Sequence, residues 1–167
     1  MRKMTEENVQ AAFAGESQAH MKYLNFAQKA AEEGEENVAR LFRAASFAEQ
    51  VHASRHLAVL GGVSSTSENL SAAASGENFE IEEMYPAYLV VAEAQEEDKA
   101  FQSFDHAYRV EQQHRELYQR AKDAVDAGGD APYDKIAVCG YCGCTLEGEP
   151  HDRCPICGAP KSRFVIF

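Results

Sequence analysis

Two segments of the chain, Glu49-Gln50-Val51-His52 and Glu111-Gln112-Gln113-His114, place a Glu-x-x-His on apolar helical stripes, where charged side chains are normally excluded. One stripe runs through Val9, Ala12, Phe13, Glu16, Ala19, Tyr23, Ala27 and Ala30, and a second through Val38, Leu41, Phe42, Ala45, Glu49 and His52. A third carries Phe101, Phe104, Tyr108, Glu111, His114, Leu117 and Ala121. Apolar residues at this period predict helices whose stripes, acids and histidines included, point inward. An unpaired buried carboxylate costs several kcal/mol even after relaxation. Four or five in one core would cost roughly tens of kcal/mol, beyond the ~5 to 15 kcal/mol net stability of a domain. A cation seated among them removes the conflict.

Punctuation along the chain divides it into four helices. Thr5 with Glu6 and Glu7 starts the first, Gly34 ends it, and Gly61-Gly62 ends the second. The Ser-, Ala- and Asn-rich stretch 63–76 is expected to cross from one helix pair to the next, with room for a short helical piece. A third helix is expected from about Asn78 to about Glu96, with Glu80, Met84, Tyr88 and Val91 on one face and Pro86 early in it. The fourth ends before Gly128-Gly129, and Pro132 marks a linker. The two pairs form a distant repeat: Glu49 follows Glu16 by 33 positions and Glu111 follows Glu77 by 34, with aromatics at Tyr23 and Tyr85.

Residues three apart share a helix face and can bite or bridge neighbouring ions. A Glu-x-x-His on each of two helices, with a Glu from each of the others, is the carboxylate-bridged di-iron or di-manganese pattern of four-helix bundles. One such motif arises often by chance in acidic helices; two at matching repeat positions are specific. Hard oxygen ligands with one imidazole per ion suit iron or manganese. His20, His56, His106 and His151 fall outside the pattern and read as surface or packing residues, and Glu82, Glu83, Glu96 and Glu97 as a solvated face.

The C-terminal segment has no helical period. Cys139, Cys142, Cys154 and Cys157 form two C-x-x-C pairs, each followed by a glycine that permits a turn aiming amides at sulfur. Four thiolates make a tetrahedral site for zinc or a single iron, and by itself the spacing favours a structural zinc ribbon. Beside a redox-active core the preference reverses, because zinc cannot change oxidation state. Tyr141, Ile156 and Phe164 are expected to supply a small core, and Cys144 is a spare thiol. The expected division is 1–135 for the helices and 136–167 for the cysteine domain.

A net charge of -11 repels phosphate backbones and argues against nucleic acid. No stretch is apolar enough to span a bilayer, and five cysteines without a secretion signal read as thiols rather than disulfides. These features predict a cytoplasmic protein with no membrane partner.

Four segments carry a family resemblance: Ala12-Phe13-Ala14-Gly15-Glu16-Ser17, Ala48-Glu49-Gln50-Val51-His52-Ala53, Gly76-Glu77-Asn78-Phe79-Glu80 leading into Glu83-Met84-Tyr85-Pro86, and Glu111-Gln112-Gln113-His114. Together they resemble rubrerythrin, and Cys154-Pro155-Ile156-Cys157-Gly158-Ala159-Pro160-Lys161 is similar to rubredoxin. The resemblance implies a mainly α fold, a ferritin-like four-helix bundle with a small C-terminal rubredoxin-like metal-binding domain. It implies two iron ions held by Glu16, Glu49, His52, Glu77, Glu80, Glu111 and His114, with Glu49 and Glu111 bridging and Glu80 replacing His52 on oxidation. It implies a third iron at the four cysteines, zinc being the other candidate. Tyr23 and Tyr85 are candidates to hydrogen-bond the carboxylates, against simple aromatic packing.

The implied activity is reduction of hydrogen peroxide to water, with electrons returned singly through the Fe(Cys)4 centre. The donor would be rubredoxin or an NAD(P)H-dependent reductase. The linker, about 128–138, looks too short to bring both sites of one chain together, so the resemblance implies a head-to-tail homodimer in which one subunit's cysteines face the other's di-iron site. The alternatives are a ferritin-like ferroxidase that handles iron, and a non-catalytic interaction protein with zinc at the cysteines.

Overall fold

A computed structural model describes residues 1–167, which form two compact units, Met1–Ser64 and Ser65–Phe167. The first is a helical hairpin of α1 (Lys3–Glu32) and α2 (Glu36–Val59), turned at Gly34 in the left-handed region at φ +81°. Its seam is built from small residues: Ala27 and Ala30 on α1, and Ala39, Ser46 and Ala53, two turns apart, on α2. Ser46 Oγ donates to the His20 carbonyl at 3.0 Å, and His20 Nδ1 lies 2.9 Å from the Ser46 carbonyl, so His20 is a packing histidine.

The seam is narrower than the apolar stripe. Leu41 is 66% exposed, and Val38 and His52 are exposed too, where the period alone puts them inward. A single neighbouring helix covers only one row of side chains, whereas the stripe is wide enough for two neighbours.

The second unit contains α3 (Thr66–Phe79), a π-helical turn (Glu80–Met84), α4 (Tyr85–Ala94) and α5 (Asp98–Asp126). Here the expected crossover is corrected. Helix begins at Thr66, not near Asn78, because Ser65 and Glu68 form a capping box: Glu68 N–H donates to Ser65 Oγ at 3.4 Å and Ser65 N–H to Glu68 Oε2 at 3.1 Å. The π turn arises where Tyr85 N–H donates to the Glu80 carbonyl five residues back. It ends two residues before Pro86, whose ring would collide with a carbonyl of a regular α-helical turn.

The cysteine segment forms an antiparallel sheet in the order β2-β1-β3, with β1 Ile136–Cys139, β2 Thr145–Glu147 and β3 Phe164–Ile166. Ala137 is paired with Leu146 on one side and Ile166 on the other. Tyr133 anchors the approach to β1, its hydroxyl donating to the Leu117 carbonyl of α5 at 2.7 Å. The fold is mainly α with a small C-terminal metal-binding sheet, and no helix is long and apolar enough to cross a membrane.

Candidate metal centres

On α1 and α2, Glu16, Glu49 and His52 bring one ligand atom each within 4.8 Å of one another. The i, i+3 spacing of the motif sets His52 Nδ1 2.9 Å from Glu49 Oε2. Tyr23 packs its ring against Phe26 and Phe42, at centroid distances of 6.2 and 6.1 Å, which is the aromatic-packing alternative.

On α3 and α5, Glu77, Glu111 and His114 form a matching triad within the same 4.8 Å limit. His114 Nδ1 lies 2.7 Å from Glu111 Oε2 and 3.9 Å from Glu77 Oε1. Burial, then the charge of Glu111, pushes the Glu77 carboxyl up to about 7. Glu80, in the π turn, is also raised by burial and by Glu111. The hydrogen bond to Glu111 raises His114, ahead of the opposing effect of burial. Tyr85 packs on Tyr88 and Phe104, and burial with the nearby Glu80, Glu111 and Glu77 raises its phenol.

Buried, crowded carboxylates such as Glu77 and Glu80, held above the usual carboxylate range, are what a divalent ion would relieve. The donor set fits iron: oxygen-rich, with one imidazole per triad.

The four cysteines converge with Sγ–Sγ distances of 3.7 Å for Cys139–Cys157 and 3.5 Å for Cys142–Cys154. A disulfide needs about 2.05 Å. Tetrahedral metal–sulfur bonds of about 2.3 Å place sulfurs about 3.8 Å apart, close to what the four thiols adopt. Gly143 and Gly158, at φ +82° and +75°, close the two knuckles by donating to the Cys139 and Cys154 carbonyls, both at 2.9 Å. Burial pushes the Cys154 thiol up, but amides of Cys157 and Ile156 and the neighbouring thiols outweigh it and bring it down to about 6. Thiolate-directed amides of this kind stabilise an anionic metal–sulfur centre.

The small core differs from expectation at one position. Ile156 and Phe164 pack against the cysteines, but Tyr141, at the tip of the first knuckle, is 64% exposed and meets His106 of α5 at 6.1 Å. Cys144 is fully buried outside the tetrad, where burial pushes its thiol up to about 12.

The cysteine sheet packs on α5 of its own chain. Val110 of α5, only 2% exposed, shares one buried cluster with Cys139, Cys144 and Cys154. The sheet folds back on the helix that carries Glu111 and His114, and Arg120 pairs with Glu147 across that junction.

A family model described as Rubrerythrin matches residues 7–122. The chain belongs to the rubrerythrin family. It is 36% identical to rubrerythrin-2 of Clostridium acetobutylicum, covering 98% of this chain and 97% of that protein. It is 37% identical to nigerythrin of Nitratidesulfovibrio vulgaris, covering 98% and 86%. A solved structure of nigerythrin in a mixed-valence state matches with a TM-score of 0.57 at 38% identity, covering 98% of this chain and 86% of that one. The chain therefore has the ferritin-like class with a rubredoxin-like cysteine cluster, and its carboxylate–histidine and four-cysteine groups fit the iron cofactors of rubrerythrins.

Within this rubrerythrin-family chain, two residues at the junction carried no motif. Val110 reads as ordinary helix core, and only the fold shows that it touches cysteines. Gln113, inside the second Glu-x-x-His, accepts the Thr145 amide on Oε1 at 3.1 Å. A polar residue at that place in a helix gives no hint of a partner more than thirty residues away.

Proposed function

We propose that the chain is a non-haem di-iron peroxidase that reduces hydrogen peroxide to water in defence against oxidative stress. The observation that supports it most is the packing of a four-thiol centre on the helix that supplies Glu111 and His114. A structural ribbon has no need to sit there, whereas an electron inlet does. Iron at the carboxylates would supply the two electrons that break the O–O bond, and iron at the cysteines a one-electron relay.

In this reading Glu16, Glu49, His52, Glu77, Glu111 and His114 would hold the two irons, and Glu49 and Glu111 are the proposed bridging carboxylates. Glu80, in the wider π turn, would be the further carboxylate able to replace His52 on oxidation, since an anionic oxygen suits a ferric ion better. Glu77, raised to about 7 in the metal-free chain, would give up that proton on binding iron. Tyr85 lies beside Glu80, Glu111 and Glu77 and would wall the carboxylates, and Tyr23, packed on Phe26 and Phe42, is its counterpart in the repeat. Cys139, Cys142, Cys154 and Cys157 hold the relay iron, and their knuckle amides set its potential.

Residues 1–135 would then work as the di-iron domain and 136–167 as the relay domain, in a cytoplasmic protein reduced by rubredoxin or an NAD(P)H-dependent reductase. A homodimer completes the reading, because Leu41 and Phe47 of α2, 66% and 65% exposed, offer apolar surface to a second copy. Mixing Cys142→Ser chains with Glu49→Ala chains tests the path. Recovered turnover supports head-to-tail transfer between subunits, and no recovery supports transfer from the cysteines to the helices of the same chain.

The decisive measurement is anaerobic stopped-flow oxidation of the fully reduced protein. Peroxide is expected to oxidise the carboxylate site much faster than oxygen does. Faster oxidation by oxygen, with release of ferric ion, would make the chain a ferroxidase instead.

A further inference from the structure

The ring of His114 has a second partner, from the cysteine sheet. Its Nε2 lies 2.8 Å from Oγ1 of Thr145, the first residue of β2. A threonine hydroxyl has one proton, and that of Thr145 is already committed, donating to the Gly143 carbonyl at 2.9 Å. Toward His114 the oxygen can therefore only accept, so the ring must carry its proton on Nε2.

A neutral imidazole protonated on Nε2 has its lone pair on Nδ1. Nδ1 is the atom that faces Glu111 and Glu77. Thr145 is in turn fixed: its amide donates to Gln113 Oε1 at 3.1 Å, and it follows Cys144, whose carbonyl accepts the Cys139 amide at 2.9 Å. The ring is held from both ends.

We propose that Thr145 is a positioning residue that locks the His114 ring with its proton on Nε2 and so presents Nδ1 as the metal-binding atom. The cysteine domain thereby contributes to the carboxylate site without touching the metal. A ligating histidine whose distal N–H is bound is better oriented and more basic, and loss of such a partner typically costs 10- to 100-fold in metal affinity. The inference rests on the proposed metal role of His114 but not on the identity of the oxidant.

The test uses the full-length, fully reduced iron protein. The ring N–H protons of iron-bound histidines give strongly shifted, water-exchangeable NMR signals, and His52, exposed on α2, serves as the internal comparison. In the wild type, the His114 signal is expected to exchange slowly. In Thr145→Val it should exchange about tenfold faster or more, the equivalent of one lost hydrogen bond, while the His52 signal is unchanged. Iron affinity at the carboxylate site should fall about tenfold, and Thr145→Ser, which keeps the hydroxyl, should restore both.

Unchanged exchange and affinity in Thr145→Val, or failure of Thr145→Ser to rescue, overturns the proposal. Visible absorption of the Fe(Cys)4 centre reports whether the sheet is intact, and Thr145→Ala removes the hydroxyl without adding a methyl to the packing. If Val and Ala variants both lose that absorption, Thr145 is a folding residue and the proposal fails. A wild type that shows the protected proton yet consumes no peroxide would sink the peroxidase reading and leave this inference standing.

Discussion

The two Glu-x-x-His motifs are nearly the same sequence in different surroundings. Glu49 and His52 lie on a two-helix hairpin, and the His52 side chain is 53% exposed. Glu111 and His114 lie on a helix flanked by α3, the π turn and the cysteine sheet, and the His114 side chain is 28% exposed. The same three-residue spacing yields the same Nδ1–carboxylate contact in both, at 2.9 and 2.7 Å. Local geometry is thus a property of the helix, whereas rigidity and electrostatics come from what is packed around it. An exposed imidazole suits a ligand that must come and go, and a clamped one suits a fixed ligand. The asymmetry agrees with the proposed exchange of His52 for Glu80.

The strongest way to break the comparison is to remove the carboxylate from each motif. Glu49→Ala and Glu111→Ala are both expected to lower peroxide turnover at least about 100-fold, because loss of a ligand should exceed the 10- to 100-fold typical of a ligand's hydrogen-bonding partner. Single-turnover kinetics on protein with measured iron content checks this. If only one of the two substitutions matters, the triads are not equivalent halves of a common site.

The histidines should separate where the glutamates do not. His114→Ala is expected to weaken iron binding about tenfold more than His52→Ala, since a held ring has already lost its freedom and a half-exposed one must lose it on binding. Titration of the metal-free protein with ferrous iron under anaerobic conditions measures both. Equal losses would mean that the surroundings of His114 add nothing to its use as a ligand.

Much of this was legible in the sequence, and the failures have physical reasons. The cysteine knuckles and the Glu-x-x-His pairs are local patterns whose spacing alone fixes geometry: the four thiols come together, and each Glu-x-x-His meets one further Glu of its own unit. The start of α3 was also written locally, in Ser65-Thr66-Ser67-Glu68, but a low-hydrophobicity Ser- and Ala-rich run hides a helix from any reading of apolar period. Val38 and Leu41 illustrate the opposite limit: the stripe is apolar, yet period cannot tell how many neighbours will cover it. Tyr141 and Thr145 differ by exposure and partner only because the sheet lies against α5, and no local pattern encodes that docking.

Electrostatic strain should also distinguish the regions in the metal-free protein. The Glu77 carboxyl is raised from 4.5 to about 7, first by burial and then by Glu111, and His114 is raised as well. A folded-state pKa above the unfolded value contributes stability that is complete below the unfolded pKa and is lost as pH rises through the folded one. For Glu77 that window runs from 4.5 to about 7, and His114 acts in the same direction. The metal-free chain is therefore expected to lose stability between about pH 5 and pH 8, with α3 and α5 opening first in hydrogen exchange. Iron loading should flatten the dependence, since a bound cation replaces the protons. Opening that is uniform along the chain, or a stability that rises over this range, would place the strain elsewhere.

The smallest expected effect concerns how the regions hold their helices. Neither α1 nor α2 has a side-chain hydrogen bond at its N-cap, whereas α3 begins with a reciprocal capping box between Ser65 and Glu68. Long helices in a hairpin spread the cost of unpaired first-turn amides over many packed residues. A 14-residue helix with no buried residue of its own has less to offset it. Ser65→Ala should accordingly cost about 1 kcal/mol, felt as fraying of α3 at the end opposite Glu77. Thr5→Ala near the start of α1, where no side chain caps the helix, should cost much less. Amide exchange over 66–72 in the two variants separates the cases. Equal protection in both would show that α3 is held by its packing on α5 and not by its cap.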